Sequence, residues 1–118
     1  MTPFGQRLRA MRQARGASLS QMAEALGVSA AYLSALEHGR RPRPTPARLD
    51  QICAYFGVIW DEAEALKDLA RLSNPKVTID TAGLAPEATQ LANRLAQRIR
   101  HLSREEIAAL LEQLDGKG

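Results

Sequence analysis

Arg40, Arg41 and Arg43 lie in the run RRPRPTP, which spans residues 40–46. Guanidinium groups make forked, charge-assisted hydrogen bonds to phosphate, and each neutralised phosphate releases a condensed counterion. The interleaved prolines rule out a helix and stiffen the backbone that carries the arginines. The chemistry on offer is therefore capture of a polyanion, against the plainer reading of a solvated cluster. No other grouping competes with it. His38 and His101, the two histidines, are far apart and lack the Cys or carboxylate spacing of a metal site. The single cysteine, Cys53, forms no internal disulfide and no cysteine-rich zinc site, and it falls at helical spacing with Leu49, Ile52 and Phe56, as a core residue would. Neither a glycine-rich phosphate loop nor a nucleophile motif is present, so an enzyme, a metal and a cofactor are not expected.

Charge is divided unevenly along the 118 residues. Residues 1–48 hold eight arginines and two acids, Glu24 and Glu37, whereas residues 49–118 hold eight basic and eleven acidic residues. One end is suited to a polyanion and the other is not. Aromatic residues make up only 4% of the chain, which favours helices over a β-sandwich or barrel. The N-terminus lacks the apolar stretch of a signal peptide, and no segment is long enough to span a bilayer. The expected place is the cytoplasm, at the nucleoid, with no membrane partner.

The elements that would position the arginines follow from caps and breakers. Phe4, Leu8 and Met11 form the stripe of a first helix over about residues 3–15, with Pro3 in its first turn and Gly16 at its end. Ser18 and Gln21 have capping-box spacing for a second helix, which Gly27 stops. Ser29 caps a third helix over 30–37, ended by Gly39, so that Gly27-Val28-Ser29 is the tight turn of a helix-turn-helix. Thr45 and Pro46 open a fourth helix, and residues 60–72 make a fifth.

After Ser73-Asn74-Pro75 the pattern changes. Residues 76–80 (KVTID) alternate Val77 and Ile79 with polar neighbours and have the character of a short strand. A long amphipathic helix starts near Pro86 and runs through Leu91, Leu95, Ile99 and Leu102. Ser103 and Glu106 form a second capping box before a last helix with Ile107, Leu110, Leu111 and Leu114. The expected division is a helix-turn-helix domain over 1–72 and a linker, short strand and two-helix module over 73–118.

The ordered set Leu8-x-x-Met11-Arg12, Ser18-x-x-x-Met22-Ala23, Leu26-Gly27-Val28-Ser29 and Leu33-x-x-Leu36-Glu37-x-Gly39, followed by Pro44-Thr45-Pro46, carries a family likeness. Over residues 4–58 the chain resembles the phage-repressor, Cro/C1-type or XRE family of helix-turn-helix proteins. The resemblance implies an all-α, five-helix lambda-repressor-like domain that binds double-stranded DNA, with helix 30–37 in the major groove. By position it implies that Ala30, Ala31, Tyr32, Ser34 and Ala35 meet the bases. It also implies that Arg9, Gln21, Ser29, Arg40, Arg41 and Arg43 meet phosphates or the minor groove. Relatives often place Gln, Arg or Asn at the base-reading positions, where alanine offers only a methyl to thymine. Leu19 likewise stands where many relatives have a phosphate-binding Gln. Discrimination is thus expected to lean on Tyr32, Ser34, DNA shape and the arginines. Arg12 and Glu37 are implied to be a structural ion pair.

Two helices cannot bury both of their apolar faces alone. The expected answer is a homodimer held by Val77, Ile79, Leu91, Leu95, Ile99, Ile107, Leu110, Leu111 and Leu114, reading two half-sites as a transcriptional regulator, most simply a repressor. The alternative is an antitoxin or adaptor whose C-terminal module binds a protein partner, with DNA binding for autoregulation. RNA binding fits less well, since RNA readers present aromatic stacking surfaces that this chain lacks.

Overall fold

Short polar side chains set where each helix begins. In the computed structural model, which describes Met1–Gly116, every regular element among those residues is helical. The Thr2 side chain accepts the Gly5 N–H and starts α1 (Pro3–Ala14). Ser18 accepts the Gln21 N–H at 3.0 Å while Gln21 Oε1 accepts the Ser18 N–H at 2.8 Å, so α2 (Leu19–Leu26) opens with a complete capping box. Gly27 closes it with a left-handed φ of 70°, a backbone state open to glycine at little cost. Ser29 caps α3 (Ala30–Glu37), and Thr45 caps α4 (Pro46–Phe56). These are the helices and boundaries expected from the sequence.

The first compact unit, Met1–Val77, also contains α5 (Trp60–Arg71). Its core joins Phe4 and Leu8 of α1 to Met22 and Leu26 of α2, Leu33 and Leu36 of α3, Leu49 and Ile52 of α4, and Leu66 and Ala70 of α5. Cys53 is buried among them, and burial pushes its thiol pKa up, which suits an inert core residue. Alpha helix 1 crosses the end of α3 closely enough that a Cβ on Gly5 would lie 2.4 Å from the Glu37 carbonyl oxygen. Ser73, buried just after α5, accepts the Phe4 N–H at 2.9 Å and donates to the Leu69 carbonyl, locking the exit of α5 to the start of α1.

One local arrangement runs against its sequence. Ile59 stands at the cap of α5 without any side-chain cap bond, and Trp60 follows with a φ of 53°. Both side chains are exposed, Trp60 to 81%.

The second unit starts at Thr78 and contains α6 (Pro86–Arg98), a 3₁₀ turn (Ile99–His101) and α7 (Arg104–Asp115). The long helix expected to carry Leu102 tightens at Ile99 and ends at His101. Leu102 is extended because Ser103 must leave helical geometry to cap α7, where it forms the expected box with Glu106. Neither α6 nor α7 buries a residue. The expected short strand at residues 76–80 is absent: the run is irregular, and Val77 and Ile79 are exposed. Alternation supplies a side-chain pattern, but a strand also needs a neighbour for its backbone groups, and none is present among the described residues.

Candidate nucleic-acid interface

The α2–turn–α3 unit presents one side of α3 outward. Leu33, Leu36 and Glu37 face the interior, leaving Ala31 exposed and Ala30, Tyr32, Ser34 and Ala35 half-buried. Ala30 and Tyr32 also pack in part against the core, so of the alanines Ala31 is the most open to a partner. Ser29 Oγ accepts the Tyr32 N–H at 3.0 Å, which fixes the first turn of the helix. Gln21 is exposed, but its Oε1 is engaged by the Ser18 amide, leaving the amide nitrogen as its free donor. Arg9 is exposed on α1.

Behind this surface, Arg12 and Glu37 form a two-pronged ion pair. Arg12 Nε donates to Glu37 Oε2 at 2.8 Å and Nη2 donates to Oε1 at 3.1 Å, while Nη1 donates to the Ala17 carbonyl at 2.9 Å. Glu37 is 1% exposed and Arg12 only 12%, so three segments of chain are tied together largely shielded from bulk water. The hydrogen bonds that Arg12 donates to Glu37 push the Arg12 pKa further up, against the opposing effect of burial.

The arginine loop after α3 is held at several points. The Arg40 N–H donates to the Ala35 carbonyl at 2.8 Å, continuing the end of α3. The Arg43 N–H donates to Asn74 Oδ1 at 2.9 Å, across 31 residues of chain. Pro44 is buried beside α4. The Arg41 guanidinium lies 5.4 Å from the centre of the Tyr32 ring, within cation–π range. Tyr32, Arg41, Arg43 and Arg48 thereby line one shallow concavity, with Val28 and Thr45 on its wall.

Arg40, Arg41 and Arg43 are all exposed, and among the described residues none has an acidic partner within 4.0 Å. The fold therefore brings Tyr32 together with the arginine loop, while Arg9 and Gln21 stand on other helices. Arg48 and Asn74 escaped the sequence reading. Arg48 donates to the Leu26 carbonyl at 3.2 Å and to Gln51 Oε1 at 2.8 Å, bracing α4 against the end of α2. Its signal was slight, an arginine in the first turn of a helix. Asn74 sat in a stretch legible only as a break.

Residues 3–72 match the family model described as helix-turn-helix domain. The chain is 28% identical over 126 residues to the uncharacterized HTH-type transcriptional regulator RghRB of Bacillus subtilis (strain 168), covering 98% of this chain and 91% of that one. It is 40% identical over 67 residues to the HTH-type transcriptional repressor RghR of the same organism, covering 57% of this chain and 42% of that one. To the HTH-type transcriptional regulator SinR of B. subtilis it is 37% identical over 55 residues, covering 47% of this chain and 50% of that one. The chain thus spans half or less of the length of the last two. A solved SinR protein/SinI protein complex is similar over 97% of this chain and 96% of its own, with a TM-score of 0.47 and 24% identity. These relatives bear the names of transcriptional regulators rather than enzymes. With a family model covering more than half of its residues, the chain belongs to the helix-turn-helix domain family, in its XRE branch, as a DNA-binding transcriptional regulator and not an enzyme.

Proposed function

We propose that the chain acts at the nucleoid as a homodimeric repressor, with α3 in the major groove and the loop at residues 40–46 on the flanking backbone. The observation that carries this reading is the set of three exposed, acid-free arginines in a loop tied back at Arg40 and Arg43, with Arg41 over Tyr32 at the start of α3. Ala31 and Ser34 face the bases, joined at the edges by Ala30, Tyr32 and Ala35. Arg9, Gln21 and Ser29, on other parts of the domain, take further phosphates. Repression is the direction borne by the name of RghR, a relative over just over half of this chain.

The test is a salt titration of DNA affinity. Each of Arg40→Ala, Arg41→Ala and Arg43→Ala should lower the slope of log K against log salt by about one, if each neutralises one phosphate. Slopes equal to that of the parent protein would remove the loop from the interface.

Dimerisation is supported by the second unit, in which Leu91, Leu111 and Leu114 remain more than half exposed and α6 and α7 bury nothing. Ile79, also exposed, and Leu95, Ile99, Ile107 and Leu110 are the further apolar residues this unit offers to a second copy, and Val77 at the end of the first unit is exposed as well. Light scattering on the full chain should give a dimer, and Leu91→Glu with Leu111→Glu should give a monomer. The same unburied faces favour the second reading, an adaptor or antitoxin bound to a different protein. A monomeric parent chain would turn the assignment to that reading.

A further inference from the structure

We infer that Asn74 is a positioning residue for DNA binding, acting through the Arg43 backbone and touching no nucleic acid itself. This rests on the reading of the arginine loop as a DNA contact. Asn74 lies beyond residues 3–72 of the family match, in irregular chain after α5, yet its Oδ1 accepts the Arg43 N–H at 2.9 Å. The adjacent Ser73 is buried and bonded to both α1 and α5, so Asn74 reaches out from a fixed base. Between Arg40, bonded back to α3, and Arg43, bonded to Asn74, the loop has little freedom, and Arg41 rests over Tyr32 within that interval.

A held loop presents its guanidinium groups without first losing conformational entropy on binding. Without the Asn74 acceptor, the Arg43 amide turns to water and the segment must be ordered by the DNA. Affinity falls, but the number of phosphates neutralised does not change. That combination separates positioning from contact. A contact residue changes the salt slope; a positioning residue changes the affinity and leaves the slope alone.

The experiment uses the full chain and a fluorescent mixed-sequence duplex of about 30 base pairs, because backbone binding needs no operator. Asn74→Ala should weaken binding roughly two- to ten-fold, the worth of one net hydrogen bond, with an unchanged salt slope. Hydrogen exchange on the free protein should show the Arg43 amide protected in the parent, fast in Asn74→Ala and protected again in Asn74→Asp, which keeps an acceptor. Asn74→Ala with parental affinity overturns the inference while leaving the DNA-binding reading intact. An Arg43 amide unprotected in the parent, or lost in Asn74→Asp as well, also overturns it. A parent chain that shows no salt-dependent binding overturns the reading beneath it and this inference with it.

Discussion

Arg12 and Glu37 face each other in parallel hydrogen bonds of 2.8 and 3.1 Å, with the carboxylate 1% exposed. A charge so enclosed is tolerable only while its partner is present. Arg12→Ala should destabilise the fold by about 3–5 kcal/mol, because it leaves a carboxylate buried and alone. Replacing both residues with apolar ones of similar volume should recover much of that loss. Urea denaturation of the single and double variants checks both statements. A single variant as stable as the parent would show that the pair holds nothing together.

Gly5 reverses a general rule. Alanine in place of a helical glycine usually gains up to about 1 kcal/mol. Here the new methyl would lie 2.4 Å from the Glu37 carbonyl oxygen and 2.7 Å from that of Leu36, both backbone atoms at the end of α3. Gly5→Ala should therefore destabilise by about 1–3 kcal/mol as the helices are forced apart. The midpoint of urea unfolding decides the sign.

Glu106 gives the second unit a marker of its own. Its Oε1 accepts the Ser103 N–H at 3.0 Å, and this backbone hydrogen bond, with the side-chain bond to Ser103, holds the Glu106 pKa below the usual value. A carboxylate depressed in the folded state contributes stability above its unfolded pKa and loses it as pH falls through its folded one. The start of α7 should accordingly loosen only at pH values below the ordinary Glu range. Carbon-13 titration of the Glu106 carboxyl should give a lower midpoint in the native chain than in urea. Equal midpoints would mean that the cap does not persist in solution.

Trp60 should be replaceable at a profit. A non-glycine residue in the left-handed region costs roughly 1–2 kcal/mol, and asparagine tolerates that region best among the alternatives. The indole, 81% exposed, returns little burial within its own unit. Trp60→Asn should raise stability by roughly 0.5–1 kcal/mol, a few degrees in Tm for a domain of this size. A lower Tm would show that the indole is covered in the assembled protein.

The parts legible in the sequence are those decided within one helical turn. Ser18 with Gln21 and Ser103 with Glu106 are three residues apart, so each capping box could be read without a tertiary structure. Thr45 with Pro46, and Gly27 before Ser29, are equally local. The contacts that shape the candidate interface are not. Asn74 meets Arg43 across 31 residues through a backbone amide, which leaves no trace in residue type or periodicity. Residues 76–80 show the converse error: alternation proposes a strand, but pairing is decided by a neighbour that one segment cannot specify. The positive φ of Trp60 was hidden for a similar reason, since it occupies a position where glycine or asparagine is the usual sign.

The Ser73–Asn74 lock also bears on how this module can be transplanted. The match to the helix-turn-helix domain model ends at residue 72, and a chimaera spliced there would carry an intact α2–turn–α3. It would leave behind the hydroxyl that receives the Phe4 amide and the carboxamide that moors Arg43. Under the proposed function, such a hybrid would keep α3 and lose the tether that holds Arg43. The portable unit is longer than the domain model's span, and a junction after Val77 retains both moorings.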